Sequence, residues 1–288
     1  MAETNVARAL IPTLLLLALP VQAMTFQTRM EDVQWLVEGD QFECRLAQPV
    51  SGYGQAVFVR RAGERPVFHL EAWSNLMRPG PAQLYNDVPP WRPNRRAHAL
   101  GQATISDGRV PLRVPQQQAA QMLAGLAEGL HPTILRAAWA NAAEPVKVVV
   151  SSVGYSKAWD EFQTCSSGLL PLNYEQVSNS VVSFANGGTT LVSESRELLD
   201  VVLAYIQADT DITRIQLDGH SDNIGDRLEN RELSRQRALA VRDYLMAQGV
   251  SEERFTIRFH GERYPVANNR TAEGRAQNRR VSLTLEKR

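Results

Sequence analysis

The sequence predicts two domains: a mainly antiparallel β domain, barrel or sandwich, carrying one helix, and after it an α/β sandwich. Three observations carry that prediction. From residue 24 to residue 165 short β-prone runs are separated by Gly, Pro or Asn, as in AGERP and SDGRV, which is how antiparallel all-β units are punctuated. From residue 166 onward strand-period and helix-period segments alternate, the pattern of helices laid on a sheet. Between the two, SSGLLP at 166–171 reads as a short linker. The expected division is a leader at 1–23, a β-rich domain at 24–165 and an α/β domain at 166–288.

A chain of 288 residues is long enough for two separate cores, and 43% hydrophobic with 22% charged residues is an ordinary globular composition. Lys plus Arg and Asp plus Glu each number 31. That balance argues against a general nucleic-acid binder and against polybasic adhesion to membranes. Lys147, Lys157 and Lys287 are the only lysines, so nearly all positive charge is guanidinium, the cation suited to bidentate carboxylate recognition.

The leader is read from Arg8, the apolar run 9–19, Pro20 and the sequence VQA before Met24. The run is too short to cross a bilayer, and VQA fits a small-residue cleavage site after Ala23. Met24 rather than Cys follows the cut, so an unlipidated, non-spanning periplasmic chain is expected. In that oxidising compartment two cysteines, Cys44 and Cys165, favour one disulfide, the alternative being two separately buried thiols. Neither has a His or a second Cys close in sequence, which disfavours a metal site.

Within 24–165 the β-prone runs are 57–59, 67–73, 99–105, 110–114, 133–140 and 146–153. One helix is predicted over 116–130, entered through Pro115 and carrying Met122, Leu123, Leu126 and Leu130. The Pro-rich segment 86–96 suits neither element and reads as an exposed loop, in which Trp91 either caps the core or meets a partner. His69, His98 and His131 are scattered, with no phosphate loop or nucleophile motif.

In the second half 176–184 is β-prone, and Thr189 or Thr190 can cap a helix that puts Leu191, Ser195, Leu198, Val202, Tyr205 and Ile206 on one face. Ile215 and Leu217 alternate with Gln216 and Asp218 up to Gly219. A helical stripe of Leu233, Arg237, Val241 and Tyr244 follows, then a strand at 255–259 and a last one through Val281, Leu283 and Leu285. The order β, α, β, α, β, loop, β gives two helices on one face of a mixed sheet.

The chemistry concentrates in IQLDGHSDNIGDRLENRELSRQRA, residues 215–238. Arg237 lies in an apolar stripe, where a guanidinium is costly to desolvate unless an anion meets it. The Gly-flanked turn upstream supplies Asp222, with Asn223 and Asn230 as neutral hydrogen-bonding neighbours. A carboxylate and a guanidinium facing one pocket suit the ammonium and carboxylate of an amino-acid head group; alternatively the two neutralise each other. Arg270, Arg275, Arg279 and Arg280 form either a solvated face or part of the groove.

GHSDNIGD, NRELSRQRA, GERYPVANN and GRAQNRRV, in that order, resemble the peptidoglycan-binding domain of the OmpA and peptidoglycan-associated lipoprotein family over about residues 172 to 288. The resemblance implies an OmpA-like α/β sandwich in which Asp222 holds the ammonium of diaminopimelate and Arg237 its carboxylate, with Asn278 and Arg279 near the ligand end of the last strand. Ile224 departs from the small or polar residue often found there. FECRLAQPVSGYGQAVFVRRAGERPVFHLEAW and VSSVGYSKAWDEFQTC resemble the N-terminal domain of the MotY family of periplasmic flagellar-motor components. This second resemblance implies a chain that joins the basal body, holds stator proteins in place and uses no cofactor or catalytic residue. A general envelope tether with the same wall-binding domain is the competing expectation, and a hydrolase built on His220 and Asp222 lacks the further ligands or base such chemistry needs.

Overall fold

The computed structural model describes residues 23–139 and 144–288. The leader read at 1–23 therefore falls, except for Ala23, outside the described residues, as does residue 140 at the end of a predicted strand. No helix among the described residues is long and apolar enough to cross a membrane.

The first half opens with strands β1 (Met24–Phe26), β2 (Leu36–Gly39), β3 (Glu43–Val50), β4 (Gly54–Arg61) and β5 (Val67–Ala72). It continues with β6 (Gly80–Asp87), β7 (His98–Ile105) and β8 (Leu112–Val114), helix α1 (Gln116–Ala127), β9 (His131–Ala137), β10 (Pro145–Val149) and helix α2 (Tyr155–Ser167). The ten strands form one sheet in the order β1-β10-β9-β6-β7-β8-β5-β4-β3-β2. It is therefore a single curled sheet open at β1 and β2, a half-barrel rather than a two-sheet sandwich.

The curl is stabilised from inside. Cys44 and Leu46 of β3, Ala56 and Phe58 of β4, and Phe68 and Leu70 of β5 alternate inward, where they meet Met122 and Leu126 of α1 and Phe162 of α2. Phe58 and Phe68 pack at a tilt with ring centroids 4.9 Å apart. On the opposite face Ala47, Val57 and Val59 make a small second cluster, so the middle of β4 reads as a continuous apolar run, AVFV, instead of clean alternation. Trp91, in the predicted loop, stands edge-on to buried His131 at 5.5 Å while remaining 46% exposed.

Helix α2 is the main element absent from the expected pattern. Its residues Tyr155, Ala158 and Phe162 sit at helical spacing and are buried, but no element is predicted over 155–165 from the sequence. Because α2 runs to Ser167, the segment expected as a linker begins inside its last turn. Cys165 of α2 is bonded to Cys44 of β3, with Cα atoms 6.1 Å apart, so one helix end is tied to the sheet.

The second half contains α3 (Tyr174–Val177), β11 (Asn179–Ser183), α4 (Ser193–Ala208), β12 (Ile212–Gly219), α5 (Arg227–Ala247), β13 (Phe255–Phe259), α6 (Ala272–Asn278) and β14 (Arg280–Lys287). The sheet order is β11-β14-β12-β13, with β12 and β13 parallel and β14 antiparallel to both β12 and β11. Leu199, Val202 and Ile206 of α4 and Ala238, Val241 and Leu245 of α5 share one core with Ile215, Leu217, Leu283 and Leu285. Fully burying each Leu or Ile there contributes roughly 1.5 to 3 kcal/mol.

Two local expectations need correction. The β-prone start at residue 176 is a helical turn, because Asn173 and Gln176 form a reciprocal capping box; strand structure begins at Asn179. Thr189 and Thr190 do not cap α4, which starts after Val192 without a side-chain cap.

Candidate functional site

Strand β12 ends at Gly219 because helix α5 crosses it there: a Cβ at this position would meet the backbone carbonyl of Ser234. The chain then passes through residues 220–226 and enters α5, whose first N–H groups at Leu228 and Glu229 are accepted by the Asp226 carboxylate. His220 and Ser221 donate backbone hydrogen bonds to Arg280 and Gly261. The turn is thus pinned to β14 on one side and to the β13 exit on the other.

Asp222 is buried at the heart of this turn. One carboxylate oxygen accepts from the backbone N–H of Ile224 at 3.1 Å, and the other from Arg279 Nη1 at 3.0 Å. Ile224 therefore serves the site through its backbone, while its side chain is exposed; the departure from a small or polar residue leaves this contact intact.

Arg237 is fully buried, and its partner is not a carboxylate. Nε donates to the Gly188 carbonyl at 2.9 Å, Nη1 to His220 at 3.1 Å and Nη2 to Ala185 at 3.2 Å. Its face lies over the Phe184 ring, 5.4 Å from the centroid. Burial pushes its pKa down to about 10, with Asp222 opposing that and Arg279 adding to it. Arg237 and Asp222 therefore do not neutralise each other directly. Asp222 pairs with Arg279, and three backbone carbonyls satisfy Arg237.

Arg279, 15% exposed at its side chain, is the guanidinium nearer to solvent, and its Nε also reaches the Phe184 carbonyl. Asn223 is exposed on the turn. Asn230 is buried and donates to Glu262 at 3.1 Å, so it braces the β13 exit loop. Asn278 is wholly occupied: its carbonyl oxygen accepts from Val266 and Ala267, and its amide donates to Ala267 and Asn269. These bonds hold the 264–271 loop.

Sequence reasoning missed the segment after β11. Phe184, Ala185 and Gly188 lie about fifty residues from Arg237, and nothing in an ANGG stretch advertises that its carbonyls receive a guanidinium. It also missed a histidine pair: His220 stacks on His260 at 5.0 Å, and His260 bonds Asp218 at 2.7 Å. A cleft of 600 Å3 lined by Arg227, Arg231, Phe259, His260, Glu262 and Arg263 opens on that side and includes neither Asp222 nor Arg237.

Comparison with known proteins fixes the family. Residues 26–171, half of the chain, match the family described as the MotY N-terminal domain. The chain belongs to that MotY family. The OmpA family matches residues 183–279, a span that brackets Asp222, Arg237 and Arg279. Over 260 residues this MotY-family chain is 28% identical to the sodium-type flagellar protein MotY of Vibrio parahaemolyticus, an alignment covering 88% of the chain and 87% of that relative. Its second half is 37% identical over 115 residues to outer membrane protein A of Bordetella avium, covering 40% of the chain and 59% of that protein. It is also 38% identical over 109 residues to the peptidoglycan-binding protein ArfA of Mycobacterium tuberculosis, covering 38% of the chain and 33% of that protein. In this MotY-family chain the disulfide and all of the half-barrel but the start of β1 lie within the first match, and the Asp222 turn within the second.

Proposed function

We propose that the chain is a noncatalytic periplasmic anchor that binds peptidoglycan through its second half and the flagellar basal body through its first, helping to retain stator proteins there. What supports the reading is the joining, on one chain, of a MotY N-terminal domain to an OmpA-type domain whose turn holds an acid between two guanidiniums. A relative named as a sodium-type flagellar protein aligns with 88% of the chain, and one named for peptidoglycan binding aligns with the second half.

Asp222 takes the ammonium of diaminopimelate. A carboxylate has about four lone-pair sites, and here two are used, by Ile224 and Arg279. Two guanidiniums against one carboxylate leave the site with an excess positive charge, which suits a ligand that brings its own carboxylate. Arg237 receives that group only after the carbonyls of Ala185 or Gly188 give way, since it is fully buried without ligand. Arg279, already nearer to solvent, makes the first contact. Asn223 and the turn's backbone orient the ligand, and Asn230 holds the adjoining loop.

The motor role is tested by imaging a fluorescent fusion in cells with and without basal bodies, alongside swimming assays of a deletion strain. Foci that need the basal body, and lost swimming with filaments still assembled, are expected. A uniform peripheral signal with normal motility would leave a general envelope tether in its place.

A further inference from the structure

A separate cavity lies where the two halves meet. Its volume is 750 Å3, and its walls come from the turn between β4 and β5, the end of α2, the segment after it and α3. The walls include Arg60, Arg61, Arg65, Ser166 and Gln176. Two polar atoms on them are buried without any partner: Nε of Arg60 and Oγ of Ser166. Ser166 itself is only 6% exposed. Leaving a buried donor unmet costs roughly 1 to 3 kcal/mol, and more when it is charged. A folded chain holds such groups where something else completes them.

The charges around the cavity say what that is. Arg61 is engaged by Glu43 at 3.2 Å. Glu64, the one carboxylate among the lining residues, accepts the Asn173 amide at 2.9 Å. Arg60 and Arg65 form no ion pair among the described residues. In a chain of zero formal net charge, three guanidiniums thus face one occupied acid. Guanidinium forks fit carboxylate and phosphate oxygens in pairs, and a hydroxyl adds a third donor.

We infer that this cavity is an oxyanion site, in which Arg60, Arg65 and Ser166 hold a phosphate or carboxylate group, free in solution or carried on an acidic segment of a partner chain. Arg60, Arg65 and Ser166 belong to the first half, and Gln176 of the second lines the same cavity. The site is independent of the Asp222 turn.

The test is calorimetric titration of the purified protein at fixed ionic strength, with inorganic phosphate in one arm and a tetraglutamate peptide in the other. Saturable one-to-one binding of at least one probe is expected, weakened tenfold or more by Arg60→Gln or Arg65→Gln and about threefold by Ser166→Ala, but unchanged by Asp222→Asn. Phosphate binding alone identifies a free anion, and peptide binding identifies a partner's acidic segment. Arg65 is exposed, so Arg65→Gln keeps the test open if Arg60→Gln fails to fold. Absence of binding by both probes, or equal affinity in wild type and the arginine variants, overturns the site.

Discussion

Arg237 shows how a single residue shapes both stability and site. A fully buried guanidinium is tolerated because three carbonyls from two separate segments converge on it. Replacing it with Leu keeps an apolar body of lesser reach and strands those carbonyls, so Arg237→Leu is expected to lose about 3 kcal/mol or more in denaturant unfolding. An unchanged midpoint would mean that the carbonyls find water readily. His220 gives a pH signature. Burial first, then Arg280 and His260, push its pKa down to about 4. A base whose folded pKa lies below its unfolded value favours the fold when neutral. Its contribution is therefore complete above about pH 6.5 and lost progressively as pH falls toward 4. His131 is depressed by burial in the same direction, so the diagnostic quantity is a difference. Unfolding of His220→Gln between pH 7 and 4 should show a shallower loss of stability than wild type; parallel curves would remove His220 as a source. At this scale the sequence revealed Asp222 and the burial of Arg237 through motif and stripe. It concealed the Asp222–Arg279 pair and the carbonyl cradle, because those contacts join segments whose closeness only the folded sheet creates.

Elements were legible where periodicity and punctuation agree. Helix α5 and strands β12, β13 and β14 follow directly from their stripes, and α1 from its Pro115 entry. Helix α2 was hidden because its buried face, Tyr155, Ala158, Phe162 and Ser166, mixes aromatic, small and polar residues, and β3 because residues on both of its faces are covered, which blurs alternation. The short edge strands β1 and β2 carry mostly exposed residues and give no pattern at all. The bond between β3 and α2 is the element-scale lock. It closes a separation of 121 residues, for which loop-closure entropy gives about 4 to 5 kcal/mol. The double variant Cys44→Ser with Cys165→Ser should therefore unfold at markedly lower denaturant than the oxidised protein, and reductant should shift the wild type by a similar amount. No shift in either measurement would show that α2 is held by packing alone.

For the whole molecule, the architecture joins a half-barrel to an α/β domain through a junction that is more than a tether. Leu170 donates to the Gln41 carbonyl at 2.9 Å, Asn173 to Glu64 at 2.9 Å, and Phe42 stacks edge-on to Tyr205 at 5.5 Å. These contacts tie the two halves together by side chain and backbone. The central claim is that the second half grips diaminopimelate-containing wall through the Asp222 turn. Co-sedimentation of purified protein with isolated sacculi tests it most directly. Wild type should pellet with the wall and be released by excess free diaminopimelate, while the isosteric Asp222→Asn variant, folded as judged by circular dichroism, should bind at least tenfold more weakly. Equal pelleting of wild type and Asp222→Asn, untouched by diaminopimelate, would contradict the account.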